Sequence, residues 1–212
     1  MKKYIYLFIA VLALNSTNVF AEEPSKDYYW GFSGASNFLA NPVINWQLFD
    51  SEEKYDIGYN VNVFSGYRFA KSWRIEAEGG YRKNKLKESR VKDSPTVSVG
   101  DGKLESMHLL FNLYCDWKFK SAFSPYVGIG IGYCRVDYQN KTAGYPSVGS
   151  SSDSAASQAI LGLNYEWTDW MSLFCDLKYF SCIDPKMNDE TGSRVEAEYS
   201  NQSINIGLKL AW

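Results

Sequence analysis

Alternation of apolar and polar residues with a period of two constrains this chain more than any other feature. From 55 to 69 the odd positions are Tyr55, Ile57, Tyr59, Val61, Val63, Ser65, Tyr67 and Phe69. The even positions are Asp56, Gly58, Asn60, Asn62, Phe64, Gly66 and Arg68. Met107, Leu109, Phe111, Leu113, Cys115, Trp117 and Phe119 share one face of the next long segment, opposite Ser106, His108, Leu110, Asn112, Tyr114, Asp116 and Lys118. At the end of the chain Ile204, Ile206, Leu208, Leu210 and Trp212 alternate with Ser203, Asn205, Gly207, Lys209 and Ala211. Successive side chains of a strand point to opposite sides, so each segment reads as a strand with two unlike faces.

Eight such strands are expected, at 27–37, 55–69, 73–85, 104–118, 125–138, 156–167, 170–182 and 199–212. Most exceed the about 5–6 residues usual in soluble sheets. They suit the about 9–11 residues that cross a bilayer at a tilt, with extensions into water. The connections alternate in length. Those at 38–54, 86–103, 139–155 and 183–198 are long and polar, whereas 70–72, 119–124 and 168–169 are short. The pattern is that of an all-β, eight-stranded antiparallel up-and-down transmembrane β-barrel with both termini on the short-turn side. A soluble barrel or sandwich would bury the apolar face and solvate the other. Here that other face mixes charges with Gly66, Gly80, Gly128, Gly130, Gly132, Gly162 and Gly207, which suits a narrow, filled lumen.

Aromatic residues make up 17% of the chain, and the tryptophans are placed unevenly. Trp30, Trp73, Trp117, Trp167, Trp170 and Trp212 fall at short-turn ends of strands, and only Trp46 sits in a long loop. Phe38, Tyr55, Tyr81, Tyr133, Tyr138, Tyr179 and Tyr199 gather at the other ends. Trp and Tyr favour the membrane–water interface because one part of the ring is apolar and another can hydrogen-bond. Two aromatic girdles are therefore expected.

Residues 1–21 read as a secretory signal peptide, with Lys2 and Lys3 ahead of an apolar run from Tyr4 to Leu14 and Val19-Phe20-Ala21 at the cleavage site. The barrel domain is then expected to span 22–212, and no further domain is expected after its last strand. Charge excludes other classes. The 22 Lys plus Arg against 24 Asp plus Glu leave a formal charge of -2, which offers no basic field for nucleic acid. One histidine and four cysteines without CxxC spacing give no reason to expect a metal or cofactor. No run of 18 apolar residues supplies a transmembrane helix.

Several segments resemble the eight-stranded outer-membrane barrels that include opacity-type proteins and the major surface antigens of intracellular bacteria. Pro125-Tyr126-Val127-Gly128-Ile129-Gly130-Ile131-Gly132-Tyr133 looks like that family's fifth strand. Arg74-Ile75-Glu76-Ala77-Glu78-Gly79-Gly80-Tyr81-Arg82 looks like its third, and Asn112-Leu113-Tyr114-Cys115-Asp116 its fourth. The ending Ser203 to Trp212 resembles the strand read by the barrel-assembly machinery, with Trp212 where the family usually has Phe. The resemblance implies export through the periplasm to a Gram-negative outer membrane. The implied partners are outer-membrane lipid and lipopolysaccharide, the assembly machinery, and host-cell surface molecules met through the loops.

Three constellations could carry function. Arg68, Arg74, Glu76, Glu78, Arg82, Asp116, Lys118, Glu166, Asp176, Lys178 and Lys209 are expected to face the lumen, where charges must pair because an unpaired buried charge is costly. Such a network either closes the barrel or gates a narrow pore for ions or small solutes. Ser106 and His108 share a face and could form part of a lipid A-modifying hydrolase, but the strand pattern turns His108 inward, away from lipid. Among the cysteines, Cys115 and Cys175 are expected to face lipid. Cys134 and Cys182 lie inward near the loop end and could bridge only if their Cα atoms come within about 7 Å. The long loops remain as binding surfaces held by a rigid scaffold. The expected role is a non-enzymatic surface antigen or adhesin, or a structural barrel of the envelope.

Overall fold

Every alternating segment forms a strand. The computed structural model describes residues 27–39, 43–45, 50–91, 97–99, 102–140, 148–182, 186–188, 194–197 and 199–212. The expected signal segment, Trp46 and parts of the long loops lie outside these residues. The main strands are β1 (Tyr28–Leu39), β2 (Gly58–Ala70), β3 (Trp73–Val91), β4 (Gly102–Asp116), β5 (Phe123–Asn140), β6 (Val148–Thr168), β7 (Met171–Cys182) and β8 (Tyr199–Ala211). Each pairs antiparallel with its successor, and β8 returns to β1 with Trp30 opposite Leu210 and Ser36 opposite Ile204. The barrel is closed, so none of these eight strands leaves an unpaired edge.

Two-residue turns, Lys71-Ser72 and Asp169-Trp170, join β2 to β3 and β6 to β7. At the other end the strands run on. β3, β5 and β6 have 19, 18 and 21 residues, well beyond what a bilayer crossing needs. The expected loops 86–103 and 139–155 are therefore largely β-structure. Short strands extend this rim. Asp50–Tyr55 pairs with β3, Val43–Asn45 with Asp50–Tyr55, and Arg194–Ala197 with both Val43–Asn45 and Lys186–Asn188.

On the outer wall between the two girdles, apolar side chains stand in the open. Ile131 is 71% exposed, Ile206 66% and Phe111 65%. Only lipid makes such a surface stable, because a contiguous apolar band of this size is not tolerated in water. Inside, large and small residues face each other across the ladders: Tyr114 and Gly128, Tyr126 and Gly162, Phe174 and Gly207, Phe64 and Gly31. A Cβ built on Gly128 would lie 2.6 Å from the Tyr114 ring, so the ring fits only beside glycine. This explains the glycines of the inward face, since a narrow barrel alternates small and large residues to fill its bore.

Beyond Tyr81, Met107 and Tyr133 the polarity changes sides. Leu86, Leu104, Val136, Tyr138, Ala156, Cys182 and Tyr199 are buried inside the barrel. The outward positions there are Lys83, Lys85, Lys103, Glu105, Arg135, Asp137 and Asp153, none of which is buried. The strand stubs that project from the membrane thus resemble a water-soluble barrel, with charges outside and a largely apolar interior that also holds Asn84, Ser106 and Ser152.

Candidate functional site

Two candidates follow from this architecture, the lumen and the rim that carries the loops. The lumen is layered. Nearest the short turns, Arg74 binds Asp116 through Nε at 3.0 Å and Glu76 through Nη1 at 3.1 Å. Its guanidinium lies 3.6 Å from the centroid of the Tyr114 ring. The Tyr29 and Tyr114 hydroxyls donate to Glu76 at 2.9 and 3.0 Å. One layer further, Glu78 is the hub: it receives Lys178 Nζ, and Asn112 Nδ2 at 3.3 Å. Gln158 donates to Asn112 at 2.7 Å and Tyr126 donates to Asp176 at 2.9 Å.

Not every expected charge joins an ion pair. Arg82 meets no carboxylate among the described residues; its Nη1 donates to His108 at 3.0 Å and its guanidinium carbon lies 3.8 Å from the Phe180 centroid. Lys209 donates to Asn164 at 3.3 Å and sits over the Tyr126 and Phe174 rings. Lys118 and Glu166 are a correction to the expected network. β4 ends at Asp116, so Lys118 lies on the turn beyond it, and both side chains are exposed at the mouth, in no ion pair among the described residues. With Arg68 they line a cavity of about 30 Å³, room for a water or two. Period-two parity placed the charges on the inward face but did not reveal these partners. Tyr29, Tyr114 and Tyr126, and the amides of Asn112 and Gln158, share that parity and were the available signal.

His108 is held between two groups. A guanidinium can only donate, so Nδ1 accepts from Arg82. The network therefore assigns the ring proton to Nε2, which donates to Glu78 at 3.3 Å. Ser106 shares its hydrogen bond with the Tyr199 hydroxyl at 3.0 Å instead. Both side chains are buried inside the barrel, and their partners hold them apart rather than as nucleophile and base.

The outer end of the lumen is plugged by Leu104, Leu110, Val136, Tyr138, Ala156, Phe180 and Tyr199. Cys134 and Cys182 form a disulfide within this plug, with Cα atoms 6.5 Å apart. They lie on β5 and β7, and only the small Ala156 and Ser154 of the intervening β6 stand opposite them. Cys175 is exposed on the wall as expected, whereas Cys115 is buried, a small residue between Trp73 and Val127 in the ladders. Of the turn-side tryptophans, Trp30, Trp167, Trp170 and Trp212 are exposed, and Trp73 and Trp117 half-buried. Tyr28 stacks on Tyr67 at 4.7 Å in the same belt, and Tyr59 meets Tyr81 at 6.4 Å in the belt toward the loops.

Comparison with known proteins gives the same architecture. The family model of the outer membrane protein beta-barrel domain matches residues 7–211. The crystal structure of Neisserial surface protein A superposes with a TM-score of 0.55 at 17% identity, over 90% of this chain and 100% of that one. The solid-state NMR structure of outer membrane protein AlkL in lipid bilayers superposes with a TM-score of 0.54 at 17% identity, over 93% and 96%. No curated protein sequence matches the chain.

Proposed function

This chain belongs to the outer membrane protein β-barrel family and resides in the bacterial outer membrane; from that premise we propose that it is a non-enzymatic surface antigen or adhesin whose loops contact host-cell molecules. The observation that carries the reading is the contrast between a filled bore and an elaborated rim. The bore is occupied by aromatic rings and ion pairs and capped by the apolar plug. The rim continues several strands past the membrane and joins the segments around 43–45, 50–55 and 194–197 into one sheet. A rigid platform of this kind suits the display of binding loops. Export with residues 1–21 removed, and assembly through the strand Ser203–Trp212, belong to the same proposal.

The test is adhesion. Intact protein, and a form with loops 86–103 and 139–155 shortened, are displayed on a non-adherent bacterium and bound bacteria counted on host cells at equal surface expression. Adhesion by the intact form alone is the expected result. Equal adhesion by both, or by neither, removes the loops from the account, and single-channel conductance in planar bilayers then measures the narrow-pore alternative.

A further inference from the structure

We propose that the outer wall of β2, β3 and β4 holds one phosphorylated, acylated lipid of the outer leaflet, of lipid A type. The proposal does not depend on what the loops bind. Lys83, Lys85 and Lys103 point outward just beyond the Tyr59–Tyr81 girdle, at the depth of lipid headgroups. Lys83 and Lys103 share one carboxylate, that of Glu105, at 2.9 and 2.8 Å. Three ammonium groups against one carboxylate leave an excess of two positive charges. Lys85 stands directly across the ladder from Lys103 and has no ion pair among the described residues. Like charges directly opposite on paired strands repel. A phosphate between them removes the repulsion and completes the charge balance. The neighbouring outward charges of β5 offer no such excess, since Arg135 and Asp137 approach each other at 3.8 Å.

Below the lysines the same strand turns smooth. Gly79 and Ala77 are its next outward residues after Tyr81, and Ala77 lies opposite Ser65 of β2 and Phe111 of β4. Ala77 and Ser65 floor a concavity of about 670 Å³ on the wall, which runs from Phe111 and Ile131 at mid-depth down to Tyr28 and Tyr67 of the turn-side belt. From Lys83 to Ala77 the strand covers about 20 Å at ~3.3 Å per residue. At a tilt of about 40° this is a depth of about 15 Å, half of a hydrocarbon core about 30 Å thick. A chain anchored by its phosphate at the lysines therefore reaches the loop-side edge of the concavity. Gly79 is not demanded by packing, since a Cβ there would lie 4.0 Å from its nearest neighbour, the His108 carbonyl. A side chain at this position would obstruct the track without touching the barrel interior.

The experiment uses the refolded full barrel in detergent, with retained lipid counted by native mass spectrometry and folding followed by the heat-dependent shift in gel mobility. Phosphorylated lipid A, the same lipid without phosphates, and inorganic phosphate alone are compared. One phosphorylated lipid A per barrel is expected, at least tenfold tighter than the dephosphorylated form, with inorganic phosphate not retained. Gly79→Leu and the double substitution Lys85→Gln, Lys103→Gln are each expected to lose at least tenfold in affinity while remaining folded. Equal retention of both lipids, retention of phosphate alone, lipid-free dimers, or unchanged binding by Gly79→Leu would each overturn the proposal. The Gly79→Leu arm stands even if the lysine double variant fails to fold.

Discussion

The same strands behave as two different proteins along their length. Between the girdles β3, β4 and β5 put Ile75, Leu109 and Ile131 outside and Arg74, Glu78, Asn112 and His108 inside. Beyond the outer girdle they put Lys85, Glu105 and Arg135 outside and Leu86, Leu104 and Val136 inside. Backbone, pairing and parity are continuous through the change. Solvent alone therefore sets which face is apolar: lipid tails demand an apolar exterior, water demands an apolar interior, and the ladder accepts either.

The comparison can be broken first inside the membrane zone. Lys178→Met leaves Glu78 without its cation, and losing one partner of a buried pair costs about 3–5 kcal/mol. Urea-induced unfolding from lipid vesicles measures it, and a loss below 1 kcal/mol would mean water reaches this layer. Next comes a paired test of the two exteriors. Leu109→Arg places a charge near the bilayer centre and is expected to cost about 2–4 kcal/mol. Gln139→Glu places a charge on the exposed wall of β5 beyond the girdle, opposite Lys103, and is expected to stay within about 0.5 kcal/mol. Equal costs at the two positions would erase the boundary drawn at Tyr81 and Tyr133. Another small effect belongs to the rim, where Lys54 and Glu88 approach at 3.6 Å with both side chains well exposed. Lys54→Gln should cost under about 1 kcal/mol, and the cost should vanish in high salt.

Much of this was legible in the residues. The alternation of Tyr59, Val61 and Val63 with Asn60, Asn62 and Phe64 required a wall with two faces, and the tryptophans marked its turn-side edge. The loop-side extent was not legible. Residues 149–154 read Gly-Ser-Ser-Ser-Asp-Ser, which has no apolar alternation, yet they lie within β6. Once outside the membrane the outward positions become polar, and the inward Ser152 and Ala156 are too small to signal a core, so the period-two contrast fades. The lumen charges were placed on the right face by parity alone, but the partners were not. Parity says which way a side chain points, and nothing about what lies across the bore.

The strand count, the closed barrel and the lipid-facing side could be read from the residues alone, because these follow from a local period. Who meets whom inside is settled only by the folded barrel. Lys178 of β7 reaches Glu78 of β3, a hundred residues away, and Cys134 bonds Cys182 across β6. Both depend on curvature and shear that bring distant strands face to face, and these arise only when the sheet closes.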